Sequence, residues 1–192
     1  MSSAGRCMWL LEELGQPYEP VAVDMRGGEH KSPEFLALNP NGKVPVMVED
    51  DFVLWESLAI NEYLADKFRP EFRGRTAQER GSIAQWSYWS VANVAHIVEP
   101  LILRNYGRAL SDERADECIK TTLHYIGILD KALSGREWLV GDVFSLADLN
   151  VAAVVMGAVM VKIDMTEFSN VQRWLGTITS RPAFQKIFTP AT

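Results

Sequence analysis

A chain of 192 residues, 47% hydrophobic and 23% charged, is long enough for one large domain or two small ones around a real core. The net charge of −6 argues against a general nucleic-acid binder, which would carry a basic excess or stripe. Two cysteines without metal spacing or a CxxC motif suit a reducing compartment, and neither a secretory leader nor an apolar run of membrane-spanning length is expected, so the chain reads as cytoplasmic.

The chain opens on Ser2 and Ser3, followed by a helical spacing of apolar residues from Cys7 to Gly15, with Gly15 placed as a stop and Pro17 behind it. Tyr18 to Val23 reads as a strand, which Pro20 confines to an edge or a bulge. Ser32 and Pro33 supply the cap and first position of a short helix, EFLAL. Asn39-Pro40-Asn41-Gly42 is a turn, and Val44 to Val48 and Phe52 to Trp55 are two strands of a hairpin. Ser57 is expected to cap the helix LAINEYLADKF that follows.

Proline, glycine and charge accumulate over 69–76 and mark a linker between a unit at 1–68 and a helical unit at 77–192. A long helix is expected from Gln78 to about Tyr106, kinked at Pro100. The next runs from Ser111 to Ser134-Gly135. Ser145-Leu146-Ala147-Asp148 is a capping box ahead of an apolar helix reaching about Met160, and two short helices, Asn170–Ser180 and Pro182–Phe188, finish the chain.

The stretch NPNGKVP, the hairpin behind it and Glu56-Ser57 at a helix start describe a site for a small, extended, acidic peptide. If the Val44-Pro45 bond is cis, Val44 offers its N–H and C=O to an extended ligand, and the nearby helix N-terminus suits a carboxylate. This ordered set resembles the glutathione-binding half of cytosolic glutathione transferases, a thioredoxin-like domain that precedes an all-α domain. The resemblance spans Ser2 to about Phe188 and implies an α+β fold. In it, Val44 and Pro45 face the cysteinyl backbone of glutathione, Glu56 and Ser57 hold the γ-glutamyl end, and Lys43 lies beside the ligand. The order of elements lacks the first strand of that domain, which leaves an upstream start, a shortened chain or a strand supplied by another chain as explanations.

The implied reaction adds the glutathione thiolate to a small electrophile, with glutathione as co-substrate, no metal, and a homodimer as the assembly. A free thiol of pKa about 8.5 is only roughly 3% ionised at neutral pH. Lowering that pKa by about two units requires roughly 2.7 kcal/mol, within reach of a hydroxyl donor and a helix N-terminus acting together. Serine-type relatives place the serine four residues ahead of an arginine, so Arg6 selects Ser2 as the catalytic residue, with Ser3 in reserve. Cys7, a turn into the helix, and Cys118 are read as packing residues. Tyr88, Ala92 and His96 recur every four residues and are the expected electrophile wall, with Trp86 and Trp89 beside them or in a domain interface. The rival functions are a glutathione-dependent thiol reductase or peroxidase, which would use Cys7 or a residue upstream of Met1, and a non-catalytic interaction module.

Overall fold

The computed structural model describes residues 2–189. α1 (Ser3–Leu14) starts four residues earlier than the apolar spacing suggests, because the Ser2 side chain accepts a hydrogen bond from the Gly5 N–H and so caps it. Gly15, at φ 64°, closes it in the left-handed conformation. α2 (Pro33–Leu38) is capped by Ser32 as expected. β1 (Val46–Glu49) and β2 (Phe52–Trp55) pair antiparallel, Val46 opposite Trp55 and Glu49 opposite Phe52, across a two-residue turn in which Asp50 has φ 52°. α3 (Ser57–Phe68) follows.

Two expectations fail in this part of the chain. Tyr18–Val23 forms no strand: it makes no backbone ladder among the described residues, and Val21 is 79% exposed. Strands exist by pairing, Pro20 has no N–H to give, and β1 and β2 are paired with each other. The second failure is the cap of α3. Glu56 holds the cap position, at φ 72° and ψ 114° and without a side-chain bond, while Ser57 is the first helical residue and is buried.

The expected linker is a packed connection. Pro70–Arg73 forms a short 3-10 turn that buries Phe72, and Arg73 pairs with Glu62 and Asp66 on α3. α4 (Ala77–Trp89) is opened by a capping box between Thr76 and Glu79. The single long helix expected here is interrupted. Residues Ser90–Ala95 widen into a π-helical segment, and α5 (His96–Asn105) continues with Pro100 inside it. Pro100 has no N–H to give the His96 carbonyl four residues back, whereas the widened turns at Ser90–Ala95 lie ahead of that position, so the irregularity is not at the proline.

α6 (Asp112–Ala132), α7 (Leu146–Met160), α8 (Ser169–Thr179) and α9 (Pro182–Phe188) complete the chain. α7 is the axis of the core: Leu149, Val151, Ala152 and Ala158 are fully buried. Its capping box is formed at both ends, and Asp148 also accepts from the Leu139 N–H at 2.9 Å and the Trp174 Nε1–H at 3.0 Å. The result is a small α/β unit followed by an all-helical one. No helix among the described residues is long and apolar enough to cross a membrane.

Candidate functional site

The turn before the hairpin is built from its side chains. The Asn39 amide donates to the Lys43 carbonyl at 2.6 Å and its oxygen accepts from the Asn41 N–H at 3.0 Å, so one buried side chain closes the loop. Gly42, at φ 59°, has no room for a side chain, since a Cβ would lie 2.8 Å from the His30 carbonyl oxygen. Lys31 reaches the Asn41 and Gly42 carbonyls, both at 3.4 Å.

This turn delivers Val44 ahead of β1 through a cis Val44-Pro45 bond. The ladder of β1 starts at Val46, and neither the N–H nor the C=O of Val44 has a partner among the described residues. Lys43 is exposed beside it. At the same end of the hairpin, where Trp55 lies opposite Val46, the chain turns into α3 through Glu56, whose positive φ is a strained conformation for a non-glycine residue. No side chain caps α3, so its first N–H groups and its partial positive charge are free for an anionic ligand. The Ser57 hydroxyl is likewise without a partner among the described residues.

Ser2 sits at the start of α1, exposed, with its Oγ accepting from the Gly5 N–H at 3.0 Å. Its hydroxyl proton has no acceptor among the described residues. Cys7 lies one turn on, buried, and its thiol donates to the Ser57 carbonyl at 3.6 Å, tying α1 to α3. Burial pushes this thiol up to about 12, with the Arg6 guanidinium opposing only weakly, so Cys7 is a packed, protonated thiol at neutral pH. Arg6 is itself buried, and burial lowers its pKa from the usual value. Its Nε and Nη1 have no partner among the described residues.

The expected electrophile residues fall on exposed positions. Tyr88 is the penultimate residue of α4, and Ala92 and His96 lie in and just after the π segment. The Tyr88 hydroxyl donates to Glu62 on α3 at 3.0 Å, and this bond raises the Tyr88 pKa. Trp86 and Trp89 meet edge to face at 5.1 Å and pack against the core. The structure shows no contact from Tyr88, Ala92 or His96 to Ser2 or Val44 among the described residues. Nor does it hold a group of three or more His, Cys, Asp or Glu side chains placed for a metal among those residues.

Sequence reasoning missed the strained backbone of Glu56, the depth of Arg6 and a buried run of polar side chains from Asn61 through Asn150 to Ser87. The first has no local signature, because glutamate is not a residue that advertises positive φ. The other two depend on which distant helices meet.

Comparison with known proteins places the chain among relatives along nearly its whole length. The family model for the glutathione S-transferase N-terminal domain matches residues 1–66, and that for the C-terminal domain matches 94–182. Glutathione S-transferase F10 of Arabidopsis thaliana is 32% identical over 97% of this chain and 92% of its own length. Glutathione S-transferase GstB of Escherichia coli is 31% identical over 92% of this chain and 88% of its own. A solved glutathione S-transferase-I, bound with lactoylglutathione, superposes with a TM-score of 0.88 at 30% identity, covering 97% of this chain and 94% of that one. The chain therefore belongs to the glutathione S-transferase family.

Proposed function

We propose that this protein binds glutathione between Val44 and the N-terminus of α3 and transfers its thiolate to small hydrophobic electrophiles. The observation that carries the reading is the unpaired backbone of Val44 beside an uncapped helix start at Glu56-Ser57. An extended tripeptide pairs its central residue with Val44, behind Pro45, while its terminal carboxylate takes the free N–H groups of α3 and the Ser57 hydroxyl. Glu56 is placed to receive the ligand's ammonium group, and Lys43 to face the opposite carboxylate.

Ser2, whose Oγ accepts from the Gly5 N–H and so keeps its own proton to give, donates that proton to the sulfur, with the exposed Ser3 hydroxyl next to it in reserve. That bond and the α1 dipole favour the thiolate, whose proton leaves to solvent. The thiolate then attacks the electrophilic carbon, a C–S bond forms, and the leaving group departs with its electron pair. Cys7 does not serve as a nucleophile in this scheme: it is buried, protonated and engaged with Ser57. Tyr88, Ala92 and His96 form the electrophile side, the boundary between the two units falls within 69–76, the assembly is a homodimer, and the compartment is the cytoplasm.

The test is retention on immobilised glutathione followed by conjugation of a chlorodinitrobenzene. Wild type and Cys7→Ala are expected to be retained and active, and to sediment at twice the chain mass. No retention would sink the glutathione reading, and retention without conjugation of any electrophile would make the protein a binding module.

A further inference from the structure

Resting on the glutathione reading, we propose that Asn150 is a positioning residue that holds the electrophile-side helix in register with the glutathione-binding helix. The Asn61 amide on α3 donates to Asn150 Oδ1 on α7 at 2.9 Å, and the Asn150 amide donates to Ser87 Oγ on α4 at 3.0 Å. Ser90, which opens the π segment, donates to the Ser87 carbonyl at 2.7 Å. All four residues are buried, none more than 2% exposed, in surroundings that are otherwise apolar.

The relay starts one turn after Ser57, in the helix whose N-terminus receives the ligand carboxylate. It ends one residue before Tyr88, immediately ahead of the π segment that carries Ala92 and leads to His96. The neighbouring residues repeat the tie at the surface, where Tyr88 donates to Glu62. Positions 61 and 62 of α3 are thus linked to 87 and 88 of α4, once through the core and once outside it.

Stability alone does not account for this arrangement. Asn61 Oδ1 is buried and has no partner among the described residues. A buried polar chain with an open acceptor costs more than leucines of similar volume, so what it supplies is a unique register between helices. The register matters here because the helix just beyond Ser87 is widened over Ser90–Ala95, and Ser87, held from α7, in turn accepts from Ser90 at the start of that segment.

The experiment compares binding of glutathione, which needs only the α3 side, with binding of S-hexylglutathione, which also needs the electrophile side. Asn150→Leu and Ser87→Ala are expected to leave glutathione affinity within about twofold and to weaken S-hexylglutathione on the order of tenfold, as small displacements of a binding wall do. The Asn61→Leu/Asn150→Leu double variant separates positioning from scaffolding. It removes both asparagine amides, leaving only the Ser87 hydroxyl without its donor, and so recovers part of the thermal stability that Asn150→Leu loses, but the S-hexylglutathione loss is expected to persist. Recovery of that affinity together with stability would overturn the proposal, as would equal effects on both ligands or none on either. Wild-type protein that binds neither ligand would instead overturn the glutathione reading and this inference with it, a result distinct from the others because it appears before any substitution.

Discussion

Two residues of the candidate site hold their positions at a cost to the fold, or with a second duty in it. Glu56 has φ 72° and ψ 114°, a conformation that costs about 1–3 kcal/mol for a residue with a side chain. It holds the cap position of α3 but its side chain makes no capping bond, so capping does not require this residue type there; in the proposed site the same conformation presents the carboxylate and the neighbouring N–H groups to the ligand. Glu56→Gly should therefore raise the unfolding free energy by up to about 1 kcal/mol while weakening glutathione binding at least about tenfold. Urea titration and calorimetry of the same sample decide it, and a variant with unchanged glutathione affinity would remove Glu56 from the site. In the proposed reaction Ser2 combines the cap of α1 with donation to the sulfur, and substitution can separate the two. Aspartate caps a helix about as well as serine but has no proton to donate. Ser2→Asp should keep the stability of α1 and lose about 100-fold in kcat, whereas Ser2→Gly should lose activity and only a few tenths of a kcal/mol. Full activity in Ser2→Asp would transfer the thiol contact elsewhere.

At the scale of elements, what could be read from the sequence was whatever is decided within a few residues. The helices Leu146–Met160 and Pro182–Phe188 match expectation because a Ser145–Asp148 box and a proline at the first position mark their starts. The turn before the hairpin was equally local, through Asn39 and Gly42. Tyr18–Val23 was misread because a strand requires a partner, which its own composition cannot supply. The π segment at Ser90–Ala95 was not foreseen, because the sequence marks an irregularity only at Pro100 and nothing within SVANVA signals a widened turn. Even where the box was legible, its energetics were not: Asp148 is fully buried, and burial outweighs its four donors, so its carboxyl is pushed up to about 6. The folded state therefore holds this proton more tightly than the unfolded chain, whose ordinary value is near 3.8. The resulting stabilisation is complete below about pH 4 and is lost as pH rises through about 6, by up to about 3 kcal/mol. Asp148→Ala should thus cost more at pH 4 than at pH 7. Chemical denaturation of both proteins across that range tests the sign, and a difference that grows with pH would mean that the donors win over burial.

Across the whole molecule, the candidate site depends on contacts between the two ends of the chain that no local pattern reveals. α1 carries Ser2 and is clasped by the C-terminal helices. Arg181 donates to both carboxylate oxygens of Glu13 at 2.7 Å, its guanidinium lies 3.9 Å from the centre of the Phe144 ring, and Lys186 pairs with Glu12. Trp9 completes the clasp, edge to face with Phe184 at 5.2 Å and Phe188 at 6.2 Å, and its Nε1–H also binds Glu13. The Glu13 side chain is only 7% exposed, so losing Arg181 leaves a buried carboxylate with one donor. Arg181→Ala should lower the unfolding free energy by about 3 kcal/mol, and Arg181→Lys should recover less than about half of that, because an ammonium replaces neither the two-pronged bond nor the stacking on Phe144. The loss should be local before it is global. Amide exchange should accelerate along α1, and conjugation should fall with it, while the β1–β2 ladder keeps its protection, since the hydrogen bonds of Glu13 run to Trp9 and Arg181 and not to the hairpin. Unchanged exchange in α1 would show that the apolar contacts of Trp9 hold the helix without the ion pair, and that the C-terminal helices support the site by packing alone.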